Sequence, residues 1–171
     1  NSNADDHMPK TLLEMGGADL SPNAISTSTL ILIDCQNEYV TGALPLVGVD
    51  AAMEAAKDIL GRFRNQGSPI IHIQHHGNPG GAFDLDQDRG QIDDRVAPRD
   101  GEDVILKALP NAFAGTTLKA RLQEIGHRDV VIVGFQTHMC VSATTRAALD
   151  LGLRNTLIAD AIATRDLPGA A

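Results

Sequence analysis

Thr29-Leu30-Ile31-Leu32-Ile33-Asp34 is a β-rich run, apolar on both faces, that ends on a carboxylate. A strand with one wet face alternates apolar and polar residues, whereas a strand buried on both faces does not. Runs of this kind belong to sheets covered on both sides, as parallel sheets are. The same pattern returns at Pro69-Ile70-Ile71-His72-Ile73-Gln74, at Val104-Ile105-Leu106-Lys107, at Val130-Val131-Ile132-Val133-Gly134 and at Thr156-Leu157-Ile158-Ala159. Helical spacing fills the intervals. Asp50 to Gln66 carries Ala52, Ala55, Ala56, Ile59, Leu60 and Phe63 at helical intervals, with Gly67 as a stop. Thr116 to Ile125 is closed by Gly126, and Val141 to Leu151 by Gly152. Strands alternating with amphipathic helices predict a three-layer α/β/α fold on a mostly parallel, Rossmann-like sheet of about six strands, with right-handed crossovers. Asn78 to Pro98, rich in Gly and Asp, reads as a long loop, and loops of that length inside a domain are usually functional or mobile.

The flanks are less regular. Asn1 to His7 resembles an expression remnant, and the rest of residues 1–28 reads as an irregular arm broken by Pro9, Gly16, Gly17 and Pro22. Residues 29–171 form the expected domain. Its last strand and helix are expected to be missing, because Asp166-Leu167-Pro168-Gly169 leads into no further helix.

The chain has 171 residues, the size of one domain, and 14 Lys+Arg against 22 Asp+Glu give a formal charge of −8. An acidic surface argues against sequence-independent nucleic-acid or anionic-membrane binding. No apolar run approaches the 18 or more residues expected of a membrane span. Two cysteines, Cys35 and Cys140, suggest free thiols rather than a disulfide framework. With a pI near 5.0, they suit the cytoplasm.

In open parallel sheets, ligands bind beyond the carboxyl ends of the strands. The polar residues expected there are Asp34, Gln74 to His76, Lys107, Cys140 and Asp160. Asp34, Lys107 and Cys140 make a plausible reactive set. A Lys cation and a helix N-terminus both favour a thiolate, and a carboxylate can collect the thiol proton and return it to a leaving group. Each residue also has an ordinary structural reading: a turn carboxylate, a solvated lysine, a small buried thiol. Spacing alone does not bring the three together.

A family resemblance bears on that choice. Leu32 to Tyr39, Val104 to Thr116, Val131 to Ala148 and Ile158 to Arg165 resemble, in order, the motifs of the isochorismatase-like cysteine hydrolases. The resemblance runs from about Thr29 to Pro168. It implies a catalytic triad of Asp34, Lys107 and Cys140. It also implies a cis peptide between Phe135 and Gln136 that sets the backbone N–H of Gln136 beside that of Cys140 as an oxyanion hole. The family's amide hydrolases work through a thioester, so the implied activity is cleavage of a small amide, carbamoyl or ureido C–N bond, with no cofactor. The resemblance further implies a small-molecule substrate and a homo-oligomer, a dimer or larger. Isochorismatase-type vinyl ether cleavage has no use for a thiol nucleophile, so Cys140 disfavours it. A non-catalytic binding protein on the same scaffold is disfavoured by the intact triad.

Gln36, Tyr39, His75, His76, Phe113 and Val141 are candidates to line a pocket, with ordinary packing or a loop hydrogen bond as the alternative for Gln36, Tyr39, Phe113 and Val141. The family's nicotinamidase branch has an Asp-x-His metal motif near His75-His76-Gly77, but its Asp is missing here, so no metal is expected. His138, two residues before Cys140, is expected to be structural. Cys35 is expected to be buried on the opposite face of the first strand from Asp34.

Overall fold

A computed structural model describes residues 10–166. The reading of Asn1 to His7 as a remnant and that of the stretch from Leu167 to Gly169 lie outside those residues. Five strands form one all-parallel sheet in the order β3-β2-β1-β4-β5. They are β1 (Ser28–Ile33), β2 (Ile70–His75), β3 (Asp103–Lys107), β4 (Asp129–Phe135) and β5 (Arg154–Ala163). The helices are α1 (Leu12–Met15), α2 (Val49–Gln66), α3 (Leu118–Ile125) and α4 (Ser142–Asp150).

The sheet divides the core into two layers. Leu30, Leu32, Val131 and Val133 pack beneath α2, which supplies Val49, Ala52, Met53, Ala56, Leu60 and Phe63. Their spacing of three and four residues keeps them on one face of the helix. Ile31, Ile33, Ile71, Ile73 and Ile132 point the other way, toward Leu118 and Leu122 of α3. All of β1 is buried, as its doubly apolar run requires. Each fully buried aliphatic side chain of this kind contributes about 1.5–3 kcal/mol.

α2 ends where Gly67 takes a left-handed φ of 68°; the Ser68 N–H then donates to Phe63 O and the Gly67 N–H to Arg64 O. That pairing satisfies carbonyls which the helix end would otherwise leave open. A second glycine serves a close approach. Gly134, at φ 115°, lies against β1 where a Cβ would come within 2.0 Å of Ile33 O. It lets β4 lie in register with β1 immediately before the turn into Cys140.

Several elements differ from the expected outline. β5 runs from Arg154 to Ala163, ten residues where Thr156 to Ala159 was expected, with a register irregularity between Ile132 and Gly134 of β4. The arm is not wholly irregular. It carries the capped turn of α1, and the Asn23 side chain donates to Val130 O and Arg154 O at the foot of the sheet. The 78–98 segment is tied down at several points. The Asp93 N–H donates to Cys35 O, the Asn37 N–H to Gln91 O, and Arg89 pairs with the buried Glu38 carboxylate. Two short 3-10 turns, Asp88–Gly90 and Asp94–Val96, complete it. Composition signals a loop here, but its anchors come from residues far away in sequence.

Candidate active site

The carboxyl ends of β1, β3 and β4 bring Asp34, Lys107 and Cys140 together. Asp34 follows β1 in a left-handed conformation, φ 50°, which Asp tolerates better than most residues. Lys107 closes β3. Cys140 lies in a π-helical turn, Thr137–Val141, that joins β4 to α4. Within that turn the Gln136 carbonyl accepts both the Met139 and the Val141 N–H, and the Phe135–Gln136 peptide is cis. Lys107 Nζ lies 2.7 Å from Asp34 Oδ2 and 3.3 Å from Cys140 Sγ. The approach to Asp34 is an ion pair without hydrogen-bond alignment, so both Asp34 oxygens are buried without a hydrogen-bond donor. Asp34 is fully buried, Lys107 is 1% exposed and Cys140 is 7% exposed. Of the three, the sulfur is the most open to a visitor.

A family model, the isochorismatase domain, matches residues 28–170. The chain belongs to the isochorismatase family. It is similar to the isochorismatase family protein YddQ of Bacillus subtilis, 38% identical over 144 residues, 82% of this chain and 80% of that protein. Among solved structures, an isochorismatase from Pseudomonas putida KT2440 superposes with a TM-score of 0.91 at 44% identity, over 95% of this chain and 84% of that one. N-carbamoylsarcosine amidase from Thermoplasma acidophilum superposes with a TM-score of 0.78 at 26% identity, over 83% of this chain and 87% of that one.

At this isochorismatase-family site the pull of Lys107 toward a thiolate is opposed by burial. Burial, reinforced by the Asp34 charge, pushes the Cys140 thiol up to about 12, and Lys107 only partly opposes it. Burial likewise raises the Asp34 carboxyl above its ordinary range, against the pull of Lys107. A neutral thiol therefore rests beside a carboxylate whose affinity for a proton is enhanced. That is the arrangement for handing a proton across during attack rather than before it.

The flanking residues separate into two groups. His75 stands at the site, with its Nδ1 3.0 Å from Lys107 Nζ. His76 is exposed, and only its backbone N–H engages β3, donating to Lys107 O. Gln36 does not offer its amide to a pocket, because that amide is spent on the backbone. Its Nε2 donates to His75 O and Gly90 O, and its Oε1 accepts the His75 N–H. Tyr39 is core, packed edge-to-face on Phe83 and Phe135. Val141 is buried in the layer beneath Cys140, and Phe113 is half-buried against the same cluster. Phe113 also lines a cleft of about 190 Å³ along α3 with Lys119 and Leu122. Asp160 falls inside β5, exposed, rather than at its end. His138 is exposed and pairs with Thr164 Oγ1 at 2.5 Å. His72 faces Glu102, 2.9 Å away. Among the described residues, no three His, Cys, Asp or Glu side chains are grouped to hold a metal.

Cys35 packs in the α2 layer and Cys140 in the α3 layer. Burial, with the Asp34 charge behind it, also raises the Cys35 thiol. In the native protein a small alkylating reagent is expected to label Cys140 alone, and to label both thiols after denaturation. Peptide mass mapping reads the difference.

Proposed function

We propose that this chain hydrolyses a small amide, carbamoyl or ureido C–N bond through a thioester on Cys140. The observation that carries the proposal is the convergence of one ammonium on a buried thiol and a buried carboxylate. Lys107 Nζ is 3.3 Å from the sulfur and 2.7 Å from the oxygen. Support also comes from the fold likeness to a protein named N-carbamoylsarcosine amidase.

In the proposed reaction, Asp34 takes the proton of Cys140 as the sulfur attacks the carbonyl carbon. The C–S bond forms and the carbonyl π pair moves to oxygen, where the backbone N–H groups of Gln136 and Cys140 receive it. Asp34 then gives the proton to the nitrogen, the C–N bond breaks, and ammonia or an amine leaves. Water, losing a proton to Asp34, attacks the thioester; the C–O bond forms, the C–S bond breaks, and the sulfur recovers its proton. Lys107 balances the charge of Asp34 throughout and favours the transient thiolate. The thiol, the carboxylate and water complete the cycle without a cofactor.

Incubation with a panel of small amides, carbamates and ureas, followed by intact mass measurement, tests the scheme. The wild type is expected to release ammonia or amine and to show a transient mass increase equal to the acyl group. Cys140→Ala is expected to show neither. Turnover by Cys140→Ala at the wild-type rate excludes the thioester.

A further inference from the structure

We infer that His75 is a positioning residue, a neutral acceptor that holds the Lys107 ammonium between Asp34 and Cys140. The inference rests on the proposed use of Lys107 in catalysis.

An ammonium has three N–H donors and no acceptor. Lys107 Nζ has three electron-rich neighbours: Asp34 Oδ2 at 2.7 Å, held as an ion pair, and two hydrogen-bond partners, His75 Nδ1 at 3.0 Å and Cys140 Sγ at 3.3 Å. Two of these are the reacting partners. The third does no chemistry in the proposed cycle, yet without it one N–H of a 1% exposed ammonium has no acceptor. A buried donor left open is costly, so Lys107 would turn in search of another partner and leave the line between sulfur and carboxylate.

His75 is itself held in place. In the parallel pairing of β2 with β3 it lies opposite Lys107, so the two side chains stand side by side on one face. Gln36 grips its backbone from both sides, accepting the His75 N–H at 2.9 Å and donating to the His75 carbonyl at 2.9 Å. Phe83 packs edge-to-face with the imidazole ring, centroids 5.0 Å apart at 66°. The Gln36 side chain that drops out of the substrate pocket thus has a task in the site's frame.

The choice of imidazole follows from charge. To accept from Lys107 at Nδ1, the ring must be neutral and carry its proton on Nε2. Burial, together with the facing Lys107 cation and the adjacent His76, lowers His75 to about 4. Asp34 and His75 meet the same ammonium, at 2.7 and 3.0 Å. A carboxylate at this position would compete with Asp34 for the ammonium, and a second cation would repel it. A neutral acceptor leaves the whole positive charge to the sulfur and Asp34.

The test uses the Cys140 thiol directly and needs no substrate. Second-order rates of alkylation by iodoacetamide are measured between pH 6 and 9.5 for the wild type, His75→Leu and His75→Asn, each checked for native thermal unfolding. Asn carries an oxygen close to the place of Nδ1, and Leu has no acceptor. Leu is expected to slow alkylation about tenfold at pH 7.5, equivalent to a rise of about one unit in the thiol pKa. Asn is expected to stay within about threefold of the wild type, since the acceptor is kept. In a Lys107→Met background, the Leu substitution is expected to have no further effect. Equal rates in the wild type and His75→Leu overturn the inference, as does a full Leu effect without Lys107. If the alkylation pattern holds while no amide in the panel is turned over, the reading of function fails and the positioning role stands.

Discussion

Asp34→Asn is expected to lower kcat by about 100- to 10,000-fold, the range for loss of a general acid–base group, and at the same time to make the Cys140 thiol more acidic. The two effects have opposite signs for nucleophilicity, which is what separates this carboxylate from a structural one. The Asp34 charge is among the causes that hold the thiol up, second to burial. Its removal leaves Lys107 to favour the thiolate unopposed, so the sulfur ionises at lower pH and alkylates faster at neutral pH. Turnover still collapses, because no group remains to take the proton, deliver it to the leaving nitrogen and activate water. Asn keeps the shape and accepts the left-handed φ of 50° at this position, so the backbone that carries the group is undisturbed. Steady-state amine release and the pH dependence of alkylation give the two readings. An Asp34→Asn enzyme with near-normal kcat removes Asp34 from the proton path. One whose thiol becomes less acidic contradicts the electrostatic account of the site.

Asp34, Lys107 and Cys140 were legible in the sequence as positions at strand ends. Asp34 and Cys140 stand just beyond β1 and β4, whose doubly apolar runs mark them as buried, and Lys107 ends β3, an edge strand whose run is equally apolar although Val104 and Leu106 are exposed, so the alternation of strands and helices puts all three on the carboxyl rim of the sheet. Their convergence to 2.7 and 3.3 Å was not legible from spacing. It depends on the strand order, which places β3 two strands away from β1, and on a lysine long enough to span β2. His75 was visible only as a polar residue after a strand, because its partnership with Lys107 is a matter of register between neighbouring strands. Gln36 stayed open between a pocket and a loop hydrogen bond for a related reason. A side-chain amide two residues past a strand gives no sign in sequence that the backbone of a neighbouring strand and a loop 54 residues away will consume it. The sequence showed the cation that favours a thiolate but not the desolvation that opposes it, because that comes from close packing.

The same desolvation governs the second large effect. Lys107→Met is expected to destabilise the fold by about 3–5 kcal/mol near neutral pH, as removal of one partner from a buried ion pair does. Met fills much of the volume of the lysine stem, so the loss comes from charge. Asp34, fully buried and without an aligned hydrogen-bond donor, would keep a carboxylate with no compensating cation. The pH dependence identifies that cause. Burial holds the folded-state pKa of Asp34 above its unfolded value, which lies near 4. In such a case the unfolded chain gives up the proton first, so stability is intact below about pH 4 and is lost as pH rises toward the folded pKa. Loss of the lysine removes the one strong opposing influence and widens that window. Urea unfolding of Lys107→Met against the wild type is therefore expected to show a difference that grows from pH 4 toward pH 7, by at most about 1.4 kcal/mol per pH unit for one proton. The double variant Asp34→Asn with Lys107→Met removes both charges and is expected to recover most of the loss, although it cannot turn over substrate. A deficit that is the same at every pH, or that persists in the double variant, would mean that Lys107 matters through its packing, and the buried ion pair would then not be the source of the site's electrostatics.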